Sequence, residues 1–519
     1  MICMSKVAQP FRAAPAAAGR PTAVALRALA CLAVARETSA ERRRKGLRYE
    51  RPPAVSGSAA FAFHRLWWMT TLAVVVVSLT AAADSRLPLV AAAKEADKAT
   101  LRALLQKGAS VNAAEADGTT ALHWASYRDD VESADLLIRA GANVNAANDL
   151  GATPLWTASL NASAPMVKRL LDAGANPNTA LLAGETPLMV ASRSGNPAVV
   201  EQLIAKGATV NARGTRGQTA LMWAVSQRHA ECVKVLLAHG ADVHARSDVW
   251  SEVMAVPPHG YLEYNRAIPH GGDTALMFAA RVGDLASARL LVAGGANVND
   301  ADAWGVSATT LAAHAGSVDV VSFLLDRGAD ANASVAGFTA LHAAVMRRDE
   351  TMVRTLLSHG ADANTPLKTW TPTRRSSRDF NFAPELVGAT PFWLAARFSS
   401  PAVMKVLVEH GADSRFVHHG DHVVEGRGGT GFQHRRDVTT ALMAAVGMGG
   451  GTPWVQPERG DRERLTLEAV QLIVEQGVDV NAANSDGRTA LDAARALKYE
   501  SVVQYLQQKG AKSRSSQPQ

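Results

Sequence analysis

The chain has almost no cysteine, no excess of charge where most of its residues lie, and none of the short motifs that mark common catalytic folds. Of three cysteines in 519 residues, Cys3 and Cys31 fall in an N-terminal leader. That leaves Cys232 alone and excludes a disulfide framework. Cys232 occupies a position that other segments fill with Val or Ala, so it is a buried small hydrophobe in this reading and not a nucleophile. The net charge of +7 invites a nucleic-acid partner, but residues 1–83 hold 12 of the 54 basic residues and only 3 of the 47 acidic ones. The remaining 42 basic and 44 acidic residues balance, without the excess that phosphate neutralisation requires, and no nucleic-acid partner is expected. There is no P-loop, no Gly-x-Gly-x-x-Gly opening a helix, no Gly-x-Ser-x-Gly and no His-Glu-x-x-His. Nothing therefore points to an enzyme or a bound cofactor.

What is present is repetition. Gly108, Gly141, Gly174, Gly207 and Gly240 stand 33 residues apart, and Gly295, Gly328, Gly360, Gly411, Gly477 and Gly510 continue the series. Each follows an apolar run such as Val235-Leu236-Leu237 and precedes Ala-Asn-Val-Asn or a variant, the pattern of a helix end that needs a residue with positive φ. A parallel series, Thr120, Thr153, Thr186, Thr219, Thr274, Ser307, Thr339, Thr390, Thr440 and Thr489, supplies helix caps.

With Gly-Thr-Thr-Ala-Leu-His at Gly118–His123 and His-Gly-Ala-Asp-Val-His at His239–His244, residues Leu87 to Gly510 resemble the ankyrin repeat family. The resemblance implies an all-α repeat solenoid of about eleven helix-turn-helix units with β-hairpin fingers, interrupted by four loop insertions. In the unit Gly118–Gly141, Leu122, Ala125, Val131, Leu136 and Leu137 are expected to face inward, and Leu237 takes the core position in a later unit. No unit buries that face alone, so neighbours must stack. The family's Thr-Pro-Leu-His element keeps its histidine at His123 and His342. Met189, Met222, Met277, Met443, Trp156 and Trp393 replace it, exchanging a polar link between units for apolar packing.

Ahead of the array, residues 1–64 are rich in Ala, Arg and Pro, and form either a disordered extension or sequence upstream of the true start. Residues 65–83 follow as a secretory signal or a retained anchor: Leu66 to Ala83 is uncharged and ends in Ala81-Ala82-Ala83. Either outcome places the array, residues 84–512, outside the cytoplasm, periplasmic or secreted, or anchored to the inner membrane. A polar tail, 513–519, closes the chain.

The threonine spacings of 33, 33, 33, 55, 33, 32, 51, 50 and 49 reveal insertions of 22, 18, 17 and 16 residues. The first three, around Ser247–Gly272, Thr365–Val387 and Ser414–Val438, extend fingers. The fourth, Gly447–Arg464, joins two helices of one unit and should project from the opposite edge. The insertions carry Trp250, Tyr261, Tyr264, Trp370, Arg374 and Arg375, residue types that dominate interface energetics. They present a partner surface, or each aromatic pins its own loop to the scaffold. Near the ends of the first helices stand Tyr127, Arg128, Arg193, Arg281, Arg347, Arg397 and Phe398, where the resemblance implies a concave groove. Arginines there suit a partner with carboxylates, or are solvated helix ends. In the third insertion, His418, His419, Asp421 and His422 are candidate metal ligands, although their spacing matches no established motif. The expected function is an exported, monomeric scaffold that binds a protein partner through groove and fingers. The alternative is a metal- or ligand-binding accessory to an envelope enzyme through the third finger.

Overall fold

In a computed structural model of the chain, residues 87–254, 261–371, 380–425 and 431–513 are described. They contain 22 α-helices, which follow one another in pairs from Pro88–Glu95 and Lys98–Gln106 to Ala490–Leu497 and Glu500–Gln508. The first helix of a pair opens on the recurrent threonine. In seven of these helices the threonine hydroxyl accepts from the backbone N–H three residues on, as Thr153 does from Trp156 at 3.2 Å. The second helix ends on the recurrent glycine. All eleven of these glycines have positive φ, between 76° and 95°, and at ten of them a Cβ would meet nothing within 4 Å. Backbone conformation alone, not crowding, therefore demands glycine there.

One apolar core runs through the stacked pairs from Leu89 to Ala511. Its register differs by one residue from the expectation at Leu237. Leu236 is fully buried whereas Leu237 is half-buried, because Cys232, Val233 and Leu236 share the inward face of the helix Ala230–Ala238. Likewise Leu137 is buried while Val131 and Leu136 are half-buried at its flank. Cys232 is a core residue, and burial pushes its thiol up to about 11.

The fingers are joined by a ladder of asparagines. Asn145 donates from Nδ2 to Gly174 O at 3.1 Å and accepts from Asn176 N–H at 2.7 Å. Asn112, Asn178, Asn211, Asn299, Asn332, Asn364 and Asn481 repeat the donation to the next glycine. The ladder survives the second insertion, since Asn364 still reaches Gly411 at 3.0 Å across 47 residues. Its position is held by His244 and Arg415 beside the first and third insertions. Arg415 replaces the rung by donating from Nε to Gln476 O at 3.3 Å.

Two of the extended fingers form antiparallel hairpins, as β-hairpin fingers require. β1 (Trp250–Met254) pairs antiparallel with β2 (Arg266–His270), and β3 (Val417–Glu425) with β4 (Phe432–Thr440). The second insertion holds itself through Thr371, whose N–H donates to Phe382 O at 2.9 Å and whose hydroxyl donates to Phe380 O at 2.7 Å. No helix among the described residues is long and apolar enough to cross a membrane. The leader, with its signal segment, lies outside the described residues, as do Arg374 and Arg375.

Candidate functional site

The aromatic residues of the insertions pack on one another. Tyr261 meets Tyr264 of its own insertion at 5.1 Å and Phe432 of the third at 5.4 Å. Tyr264 meets Trp370 of the second insertion at 5.3 Å, and its hydroxyl accepts from Val423 N–H of the third at 3.0 Å. Arg266 covers the Trp370 ring at 4.5 Å. Trp250 lies between His270, stacked at 5.6 Å, and Arg216 of a neighbouring finger at 4.3 Å. Three insertions thus form one cross-braced layer, a third outcome beside the two that sequence admits. Trp370 is buried in it and unavailable to a partner, which corrects its assignment to an exposed surface.

The fourth insertion does not project away. Trp454 donates from its indole N–H to Asn381 O of the second insertion at 2.9 Å and from its backbone to Met346 O at 3.0 Å. Its ring packs on His314, Phe380 and Phe382. The turn that brings it there is the run Gly449-Gly450-Gly451, all with positive φ. At each a Cβ would stand within 2.6 Å of Trp393, Glu385 or Leu386, so only glycine allows this approach.

These contacts divide the residues at the first-helix ends. Phe398 is buried, and Arg397 is mostly covered, its guanidinium donating to Gly451 O at 3.1 Å. Arg347 donates back to His314 O at 3.1 Å. It repeats what Asn161 does to Ser126 O and Ser194 to Leu160 O, at 3.0 and 2.9 Å. A donor at this position satisfies the open carbonyls of the preceding helix, so Arg347 is a link between units. Arg281 pairs with Asp273 at 2.8 Å. Phe398 and Arg397 therefore do not line an open groove as expected, because the second and fourth insertions fill that space.

Ahead of the first insertion the surface is open. Arg128 is exposed without an ion pair among the described residues, next to Tyr127, whose ring meets Trp124 edge-on at 5.7 Å. Arg193 holds Glu185 at 2.7 Å and lies over Trp223 at 5.1 Å. Trp156, Val190 and Ala152 form a small apolar cluster separate from the main core, flanked by Leu160 and Leu181. The Trp156 indole nitrogen has no hydrogen-bond partner among the described residues. At the finger tips, Leu182 N–H donates to Leu150 O at 3.0 Å, which holds two exposed leucines side by side, Leu150 at 37% and Leu182 at 82%. Sequence reasoning passed over both leucines, although a leucine in a polar turn between two helices is itself a signal.

The histidine set of the third insertion does not converge. Residues alternate faces along β3, which puts His418 and His422 on one side and His419 and Asp421 on the other. His418 is buried against Trp393 at 4.4 Å and bonds Val387 O at 2.9 Å, and burial holds its imidazole below the usual range. Asp421 faces His434 and Arg436 of the opposite strand at 3.5 and 3.2 Å. No metal-ligating cluster is present among the described residues, and the expected set is replaced by a structural histidine and a cross-strand ion pair. Trp393 also corrects the expectation for its position. Its indole N–H donates to Thr439 O at 3.2 Å, the same link that His123 Nε2 makes to Ala152 O at 2.9 Å.

Among known families, the model for ankyrin repeats in three copies matches residues 89–181, 155–247 and 276–366, and that for many copies matches residues 221–292. Among solved structures, the chain is similar to the human ASB11 ankyrin repeat domain, with 30% identity over 47% of this chain and 99% of that one and a TM-score of 0.39. No curated protein matches the chain.

Proposed function

The chain belongs to the ankyrin repeat family, and from that premise we propose that it is an exported, monomeric scaffold that binds a protein partner on its N-terminal units. Ankyrin repeats are in general protein-interaction modules. The observation that carries the choice of surface is a pair of exposed leucines. Tyr261, Tyr264 and Trp370 of the insertions pack on one another, whereas Leu150 and Leu182 are exposed on adjacent finger tips and joined by a backbone hydrogen bond. Exposed apolar anchors on the same N-terminal units as the exposed Arg128 and the Arg193–Glu185 ion pair supply the residue types of an interface core and its polar surroundings. A rigid array also limits the ordering cost of association. Export rests on the uncharged Leu66–Ala83 segment with its small-residue end.

Affinity capture from native envelope extract tests this with three forms of the chain: unaltered, Leu182→Asp, and one whose first insertion is cut back to the 33-residue period. A partner lost with Leu182→Asp and kept after the cut supports the N-terminal surface. A partner kept by Leu182→Asp and lost after the cut would return binding to the insertions.

A further inference from the structure

Beneath the hairpin of β3 and β4 lies an open cleft of about 450 Å³, lined also by the fourth insertion and the helix Ala490–Leu497. That volume is within the roughly 300–1,000 Å³ typical of small-molecule sites. Its charged lining is balanced: Glu385 and Asp437 against Arg435 and Arg488. Asp437 accepts from Asn484 at 3.1 Å and Arg435 reaches Asp486 at 3.4 Å. The side chains of Glu385 and Arg488 have no hydrogen-bond or ion-pair partner among the described residues. Two shielded polar atoms on the lining, His422 Nδ1 and Thr439 Oγ1, are also unpartnered, a costly arrangement that a ligand would relieve. Burial holds the His422 imidazole below its usual range, so at neutral pH it adds hydrogen-bonding capacity and leaves the charge balance unchanged. Met448 and Leu497 supply apolar wall. The cleft depends on Gly450, where a Cβ would stand 2.3 Å from Glu385 Cγ, so the glycine lets the stem of Glu385 lie against the turn.

We propose that this cleft binds a small zwitterion, a free α-amino acid with an apolar side chain being the simplest. Its carboxylate pairs with Arg488 and Arg435, its ammonium with Glu385 and Asp437, and its side chain rests on Met448 and Leu497. A simple anion would meet two carboxylates, and a simple cation two guanidinium groups. A ligand carrying both charges pairs every charged group of the lining. The site lies at the opposite end of the array from the proposed protein-binding surface and does not depend on that reading.

The test is calorimetric titration of the full chain with each of the twenty free L-amino acids. For any that binds, it is repeated with the matching amide, which lacks the carboxylate, and the matching deaminated acid, which lacks the ammonium. At least one apolar amino acid is expected to bind, with either single-charge analogue at least tenfold weaker. Arg488→Ala and Glu385→Gln should each weaken binding at least tenfold while circular dichroism and Tm stay unchanged. The analogue series reads charge dependence on unaltered protein even if a variant misfolds. No binding by any amino acid up to about 10 mM, a range that captures millimolar affinities, would overturn the proposal. So would equal binding of an analogue, or undiminished binding in both folded variants.

Discussion

The hydroxyl of Tyr264 accepts a hydrogen bond from the backbone N–H of Val423 at 3.0 Å, joining the first and third insertions across 159 residues of sequence. The same ring meets Trp370 of the second insertion, so one side chain touches three segments that interrupt the array. In a repeat protein each unit otherwise contacts its neighbours alone, and stability is a sum of local terms. The brace adds long-range coupling to the second half, and the first half keeps only nearest-neighbour contacts. This division separates a stiffened region from the open surface at Leu150 and Leu182.

The core register gives the plainest stability prediction. Leu236→Ala should cost about 2–5 kcal/mol, the range for a buried leucine truncated to alanine, and half-buried Leu237→Ala about 1 kcal/mol. Urea unfolding of both variants checks this; a larger loss for Leu237→Ala would contradict the assigned face.

The asparagine ladder predicts a measurable effect at an exposed residue. Asn178 donates to Gly207 O at 2.9 Å and accepts from Thr209 N–H at 2.8 Å. Asn178→Ala removes both bonds and should cost about 1–2 kcal/mol. Most surface substitutions stay within about 0.5 kcal/mol, so an effect of that small size would mean the rungs are replaced by water.

Two desolvated groups, His342 fully buried and Asp302 half-buried, act in opposite directions on the pH dependence of stability. The fully buried His342 ring is pushed down to about 4 by desolvation. Its contribution is complete above 6.5 and is lost as pH falls from there toward 4. Burial pushes Asp302 up to about 6. It favours folding most below its ordinary value of 3.8, and that advantage fades as pH rises through 6. Each spans on the order of 2–3 kcal/mol, so between pH 6.5 and 4 they largely cancel. In Asp302→Asn the compensation is gone. Relative to wild type, the variant should lose about 2–3 kcal/mol more on going from pH 7 to pH 4, measured by denaturant unfolding at each pH. Parallel profiles would show that Asp302 titrates normally.

How much of this was legible in sequence follows from how local each requirement is. The recurrent glycine and threonine answer needs set within a few residues, a positive φ at a helix end and an unpaired N–H at a helix start, so spacing alone exposed the array. The choice between Leu236 and Leu237 turns on helix rotation against neighbouring units, which two adjacent leucines do not reveal. The ladder was legible, because asparagine recurs four residues after most of the glycines, but its role needed the carbonyl of the next unit. The partners of Tyr264 and Trp454 were not legible. These rings meet residues more than 70 positions away at no repeated offset, and only the stacked units bring them together. The third insertion misled for a related reason: strand alternation sends neighbouring histidines to opposite faces.

Hydrogen–deuterium exchange on the full chain, comparing wild type with Tyr264→Ala, tests most directly whether the insertions brace one another. Faster exchange should appear in Val417–Glu425 and around Trp370, with Ala121–Ala238 unchanged. Unchanged protection of the third hairpin in the variant would contradict the brace and return the insertion aromatics to the pool of candidate partner contacts.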